Sequence, residues 1–167
     1  MSAAVRWAGP ADAEDLALVL REMAVHYRQA PLPQAMAVAA AQRWLAHESP
    51  AYPHFALAWR GGGVAGIASV AIAHPGVDLQ RLLFLKDLFV RDGHRSAGIG
   101  RALLKFLAGH CLANGIARID LTTEDWNEGA IRFYDRLGAD RHGQKIFLRF
   151  DTQALRGLAE RSEDGDS

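Results

Sequence analysis

At 167 residues and 18.2 kDa the chain has the size of one domain with room for a proper core. Nineteen Lys and Arg balance nineteen Asp and Glu, which removes the global field that nucleic acid or an anionic membrane would use. The single cysteine, Cys111, excludes an intramolecular disulfide and fits a reducing compartment, with core packing as its default role. No run approaches the roughly 18 apolar residues that span a bilayer, and residues 1–6 lack the apolar region of a signal peptide. A soluble cytoplasmic protein is expected, with one domain over 1–160 and a polar, disordered tail over 161–167.

In chain order, residues 5–7 read as a short strand ended by Gly9-Pro10. A helix is expected over about 12–27, with Leu16, Val19, Leu20, Met23 and His26 or Tyr27 on one side and acidic residues in its first turn. Pro31 and Pro33 break the chain. A second, alanine-rich helix follows over about 34–47, with Met36, Ala40, Trp44 and Leu45 as its expected buried face. Residues 49–53 read as loop. Two apolar strands, 55–60 and 64–73, are joined by Gly61-Gly62-Gly63, whose glycines supply the positive φ of a hairpin turn. Residues 74–76 turn the chain towards the next strand.

That strand, 82–90, carries Lys86-Asp87 in the middle of an apolar run. It is followed by Arg95-Ser96-Ala97-Gly98-Ile99-Gly100 and then by an amphipathic helix, Arg101 to Asn114, with Leu103, Leu104, Leu107, Cys111 and Leu112 at helical spacing. Gly115 ends it. A helix N-terminus offers unpaired N–H groups and part of a positive charge, glycines let an anion approach them, and Arg95 and Arg101 add charged donors. The turn therefore reads as a cradle for a pyrophosphate. A P-loop would need Gly-Lys-Ser/Thr where the chain has Gly100-Arg101-Ala102, and a dinucleotide fingerprint would need a third glycine or alanine where it has Leu103. A tight turn that merely uses glycine is the structural alternative.

Residues 117–123 read as a strand parallel to 82–90, because a helix of about fourteen residues is the connection a parallel neighbour needs. A helix over 127–137 follows, capped by Asn127 and stopped by Gly138. Residues 145–150 are expected to form a final strand and 151–159 a short helix. The seven histidines show no metal-ligand spacing, so no metal is expected.

Two motifs carry a resemblance. Arg95-x-x-Gly98-x-Gly100 between a strand and a helix resembles the acyl-CoA-binding motif of the GCN5-related N-acetyltransferase (GNAT) superfamily. Asn127-x-x-Ala130-x-x-Phe133-Tyr134-x-x-x-Gly138 is similar to a second segment of that family. The element order also matches, so the resemblance implies an α/β (α+β) fold with a mixed, mostly antiparallel sheet, a splayed parallel strand pair and helices on both faces. It implies acetyl-CoA as donor, held by the backbone of Leu88, Phe89 and Val90, by Arg95, Ser96, Ala97, Gly98, Ile99, Gly100 and Arg101, and by Asn127, Ala130 and Phe133. Tyr134 would place its hydroxyl near the sulfur and protonate the leaving thiolate as an amine attacks the thioester. On spacing alone, Asn127 could be only a cap and Tyr134 only a half-buried aromatic.

The residues around Lys86-Asp87 and Trp126-Asn127 look most like the diamine acetyltransferase branch. That branch typically has Glu-Asp where the chain has Lys86-Asp87, and an acidic cluster after the first helix where the chain has Tyr27-Arg28-Gln29-Ala30-Pro31-Leu32. Lys86 and Arg28 would repel a polyamine, so an amine that also bears a carboxylate suits the chain better. Tyr27, Lys86, Asp87 and Glu124 are the acceptor-side candidates. Asp87 is the candidate general base, with an ion pair to Lys86 or an arginine as its structural alternative. The reading is N-acetylation of a small-molecule primary amine by direct transfer. Acetylation of a protein or peptide, or a non-catalytic CoA-binding module, are the alternatives, and the family resemblance implies a homodimer.

Overall fold

The computed structural model describes residues 3–47, 53–74 and 79–159, which fall into two compact units divided between Thr122 and Thr123. Most of the loop expected over 49–53, most of the turn over 74–76 and the tail over 161–167 lie outside the described residues.

The first unit contains β1 (Ala4–Trp7), a 3-10 turn (Pro10–Asp12), α1 (Ala13–His26), α2 (Gln34–Leu45), β2 (His54–Arg60), β3 (Gly63–Ala73), β4 (Leu82–Val90), α3 (Ile99–Ala113) and β5 (Arg118–Leu121). Its sheet runs β1-β2-β3-β4-β5. The first three pairings are antiparallel and β4 with β5 is parallel. The β2–β3 hairpin turns on Gly61 and Gly62, at φ 63° and 83°, the pair of positive values that a twisted two-residue connection demands.

Alternation along the strands sorts the helices onto the two faces. Phe55, Leu57, Val64, Ile67 and Phe89 meet Leu16, Ala17, Val19, Ala37 and Ala41 of α1 and α2. Ala56, Ala58, Ala65 and Ala68 meet Ile99, Leu103 and Leu107 of α3. The small residues on that second face let α3 lie close to the sheet. Gly66 is the tightest point, since a Cβ there would stand 2.8 Å from the Phe89 carbonyl oxygen and 3.0 Å from Ile99 Cγ2.

Two expected helix faces are corrected. Met36 is 57% exposed, while Ala37 and Ala41 are buried alongside the expected Ala40, because small side chains suffice in the α2 packing. Leu112 is 84% exposed while Cys111 beside it is buried, so the apolar stripe of α3 is narrower than its leucines suggest. Burial pushes the Cys111 thiol up, away from the reactive thiolate. Gly115, at φ 62°, ends α3, and the Ile116 N–H closes back on the Cys111 carbonyl at 2.9 Å.

The entry to α1 is fixed by a charge. Arg6 donates to both oxygens of Asp12 at 2.6 and 2.8 Å, and the Gly9 N–H donates to Oδ2 at 2.7 Å. These bonds, Arg6 first, hold the buried Asp12 carboxyl below the usual carboxylate range.

The second unit contains α4 (Glu128–Asp135) and α5 (Thr152–Ala159). Asn127 Oδ1 accepts from the Ala130 N–H at 3.1 Å, which makes it the cap of α4. Gly138, at φ 86°, ends that segment, and Asp151 caps α5 through the Ala154 N–H at 2.8 Å. The strand expected over 145–150 is not formed. A strand exists by virtue of its ladder, and among the described residues no ladder includes this segment.

Two outcomes follow. Gly66→Ala drives a Cβ against backbone that cannot rotate away, and urea denaturation is expected to show a loss of about 1–3 kcal/mol. Asp12 has a folded pKa below its unfolded one, so its stabilisation is present above about pH 4 and is lost as pH falls through the lowered folded value. Asp12→Asn should therefore lower thermal stability at pH 7 and narrow its gap to wild type as pH drops below about 4, as a melting series would record.

Candidate functional site

Strand β4 runs to Val90, but its parallel ladder with β5 ends at the pair Leu85–Leu121. Its ladder with β3 starts at Leu82 as well, and from Asp87 to Val90 it is paired with β3 alone. All four residues of β5 are used in the parallel ladder, so β4 runs on past the end of its parallel partner, starting at the two charged residues.

The β3–β4 register explains their placement. Ser69 pairs with Asp87 and Val70 with Leu85, so Lys86 is the extra residue of a β-bulge. Before the bulge Leu83 and Leu85 belong to the cluster under α3, and after it Leu88 and Val90 do. Phe89 belongs to the opposite cluster. The bulge also gathers polar groups. Lys86 Nζ lies 3.0 Å from Asp87 Oδ2, although regular alternation would send adjacent side chains to opposite faces. The Ser69 hydroxyl donates to the same oxygen at 2.5 Å. Ser69 is buried, Asp87 is mostly covered and Lys86 is exposed.

Beyond Val90 the chain turns onto α3. Gly98 sits at φ 78° as the residue preceding the helix, a conformation that favours glycine. An added Cβ at Gly98 would meet nothing within 4 Å. Ser96 also has positive φ, 63°, an uncommon state for a residue with a side chain. Such left-handed positions fold backbone N–H groups into an anion-binding concavity. The Ala102 N–H is already bonded to Gly98 at 2.9 Å and the Ala97 N–H reaches His94 at 3.4 Å. The first-turn N–H groups of Ile99, Gly100 and Arg101 remain as the helix donors. The Ile99 side chain is buried beneath them and Arg101 is exposed.

Arg95 is held rather than loose. Its Nη2 lies 3.0 Å from Asp92 Oδ1 and 3.3 Å from His26 Nδ1, and its Nε reaches the Val90 carbonyl at 3.4 Å. An exposed ion pair of this kind contributes little, so a phosphate could take the guanidinium over. This open glycine, the helix N-terminus and the adjacent arginine fit a phosphate-bearing group.

Sequence reasoning missed four residues that hold this region: Arg91, Glu22, His26 and Ser69. Arg91 makes two bonds to Glu22 of α1, at 2.7 and 2.6 Å, and a third to the Val64 carbonyl at 2.7 Å. His26 packs against Phe89 with the rings tilted and their centroids 5.5 Å apart; the expected acceptor-side residue Tyr27 caps α1 beside it, 47% exposed. Ser69 is the fourth. A signal was hard to read, since Arg91 and Glu22 are 69 positions apart.

In the second unit, the Asn127 side chain caps α4. Glu124 is exposed and its carbonyl accepts from the Asn127 N–H at 3.0 Å. Phe133 and Tyr134 are half-buried, with their rings edge to face at 5.2 Å. Ala130 lies in the first turn of α4.

L-ornithine N5-acetyltransferase of Arabidopsis thaliana is 28% identical over 95 residues, which are 57% of this chain and 42% of that protein. Thialysine N-epsilon-acetyltransferase of Bos taurus is 35% identical over 83 residues, 47% of this chain and 48% of that protein. The chain spans about half the length of the curated relatives it matches. Among solved structures, an integron cassette protein from the mobile metagenome of V. cholerae superposes with a TM-score of 0.82 at 26% identity, covering 96% of this chain and 99% of that one. The sequence profile described as the acetyltransferase (GNAT) family matches residues 18–139, and the chain belongs to that family.

Proposed function

We propose that the protein is an acetyl-CoA-dependent N-acetyltransferase that moves the acetyl group directly to a primary amine of a small molecule. The observation that carries this reading is the course of β4, which runs on beyond the end of its ladder with β5 at Leu85 and continues through the glycine turn to the N-terminus of α3. An extended strand edge followed by an anion cradle suits a donor with an amide-bearing arm and a pyrophosphate.

When bound, the donor supplies a thioester carbonyl for the amine to attack. The backbone of Leu88, Phe89 and Val90 would pair with its arm, and a strand N–H there would polarise the carbonyl. Gly98, Ile99, Gly100 and Arg101 would bind phosphate through N–H groups, with Ser96 and Ala97 shaping the turn and Arg95 adding charge. Asp87 would accept the amine's proton, directly or through water. Tyr134 retains the role its motif implies, proton donor to the leaving sulfur, and Asn127, Ala130 and Phe133 the cofactor contacts. A homodimeric, cytoplasmic enzyme belongs to the same reading.

For the acceptor, the support is Lys86. An exposed ammonium beside Asp87 favours an amine that also bears a carboxylate over a polyamine. The names of the relatives, for ornithine and for thialysine, point the same way.

Release of CoA from acetyl-CoA is measured across polyamines, amino acids with side-chain amines and a lysine peptide. Amino acids are expected to drive turnover, and Tyr134→Phe to lower kcat by about a hundredfold with acetyl-CoA affinity unchanged. Tight acetyl-CoA binding with no amine acetylated would instead favour a CoA-binding module, and preference for the peptide would favour protein acetylation.

A further inference from the structure

We infer that Ser69 is a positioning residue for Asp87, fixing which carboxylate oxygen meets the acceptor amine. The inference rests on the proposed transferase reading, in which Asp87 receives the amine's proton.

The geometry is local to β3 and β4. Ser69 and Asp87 are directly opposite in the ladder, at the last regular pair before the bulge. The Ser69 hydroxyl is buried and donates to Oδ2 at 2.5 Å, and Lys86 Nζ meets that same oxygen at 3.0 Å. Among the described residues, both of these contacts to the carboxylate fall on one atom. Oδ1 is left as the oxygen that can accept from an incoming N–H.

The two partners differ in what they can fix. Lys86 is 71% exposed on a flexible stem, so its pairing with Asp87 holds the carboxylate weakly. Ser69 has a short side chain on a paired strand and is buried, so its hydroxyl defines a direction. Apart from Ser69, the only buried polar or charged residue among the described ones is Asp12, which has its own partners in Arg6 and Gly9. A hydroxyl placed among the apolar residues of this face is accounted for by the carboxylate it orients. Asp87 would otherwise rotate about its side-chain torsions and present its oxygens to the amine in varied directions. That loss would fall on the chemical step and on acceptor use, not on the donor.

The test combines Ser69→Ala, Ser69→Thr, Asp87→Asn and the double variant Ser69→Ala/Asp87→Asn, with KM and kcat measured for amine and donor. Ser69→Ala is expected to lower kcat/KM for the amine about tenfold, with the acetyl-CoA KM within about twofold. Ser69→Thr, which keeps the hydroxyl, should recover most of the loss. In the Asp87→Asn background the Ser69→Ala change should cost less than about twofold, because a residue acting through another has nothing left to act on. Equal losses in both backgrounds, a donor KM that rises with the amine KM, or no rescue by threonine would overturn the positioning role while leaving the transferase reading intact. A wild-type protein that acetylates no amine would overturn both.

Discussion

Strand β4 pairs with β3 beyond the point where it pairs with β5, and the rest of the candidate site depends on that inequality. Where the parallel ladder stops, the strand still needs support, and β3 provides it across a bulge. The bulge changes which residues face α3, so Leu88 and Val90 take over from Leu83 and Leu85 in the cluster beneath the helix. It also sets Lys86 and Asp87 together over Ser69. A one-residue irregularity thus converts part of an apolar core strand into a polar ledge without opening the core on either side.

The turn that follows is fastened from several directions. Gly66 lets Ile99 and the start of α3 approach the sheet. Arg91 binds Glu22 and the Val64 carbonyl, so α1, β3 and the end of β4 share one charged junction. His26 then lies against Phe89 and Arg95. The helix N-terminus is consequently presented by rigid elements, which is what a preorganised anion cradle requires. The left-handed Ser96 is tolerated because its neighbours hold the turn.

Much of this was legible in the sequence because its signals are local. The glycine turn, the hairpin at Gly61-Gly62, the Asn127 cap and the glycine stops each depend on a few adjacent residues. The five strands of the sheet were recognisable from apolar runs. The bulge was not, since a register is decided by two strands and Ser69 looks like any residue of an apolar strand until it faces Asp87. Arg91 and Glu22 were missed for the same reason. Met36 and Leu112 misled because period alone does not say how wide a buried stripe is, and alanines filled the contact instead. Residues 145–150 carry strand-forming side chains, but a ladder partner decides whether a strand exists.

The central claim is that the outer edge of β4 and the first turn of α3 form one binding surface for an acyl-CoA donor. Hydrogen exchange of backbone amides, with and without saturating CoA, tests it most directly. Added protection concentrated in residues 86–90 and 98–102 is the result the account predicts. Protection confined to other segments, with these amides exchanging as before, would contradict it.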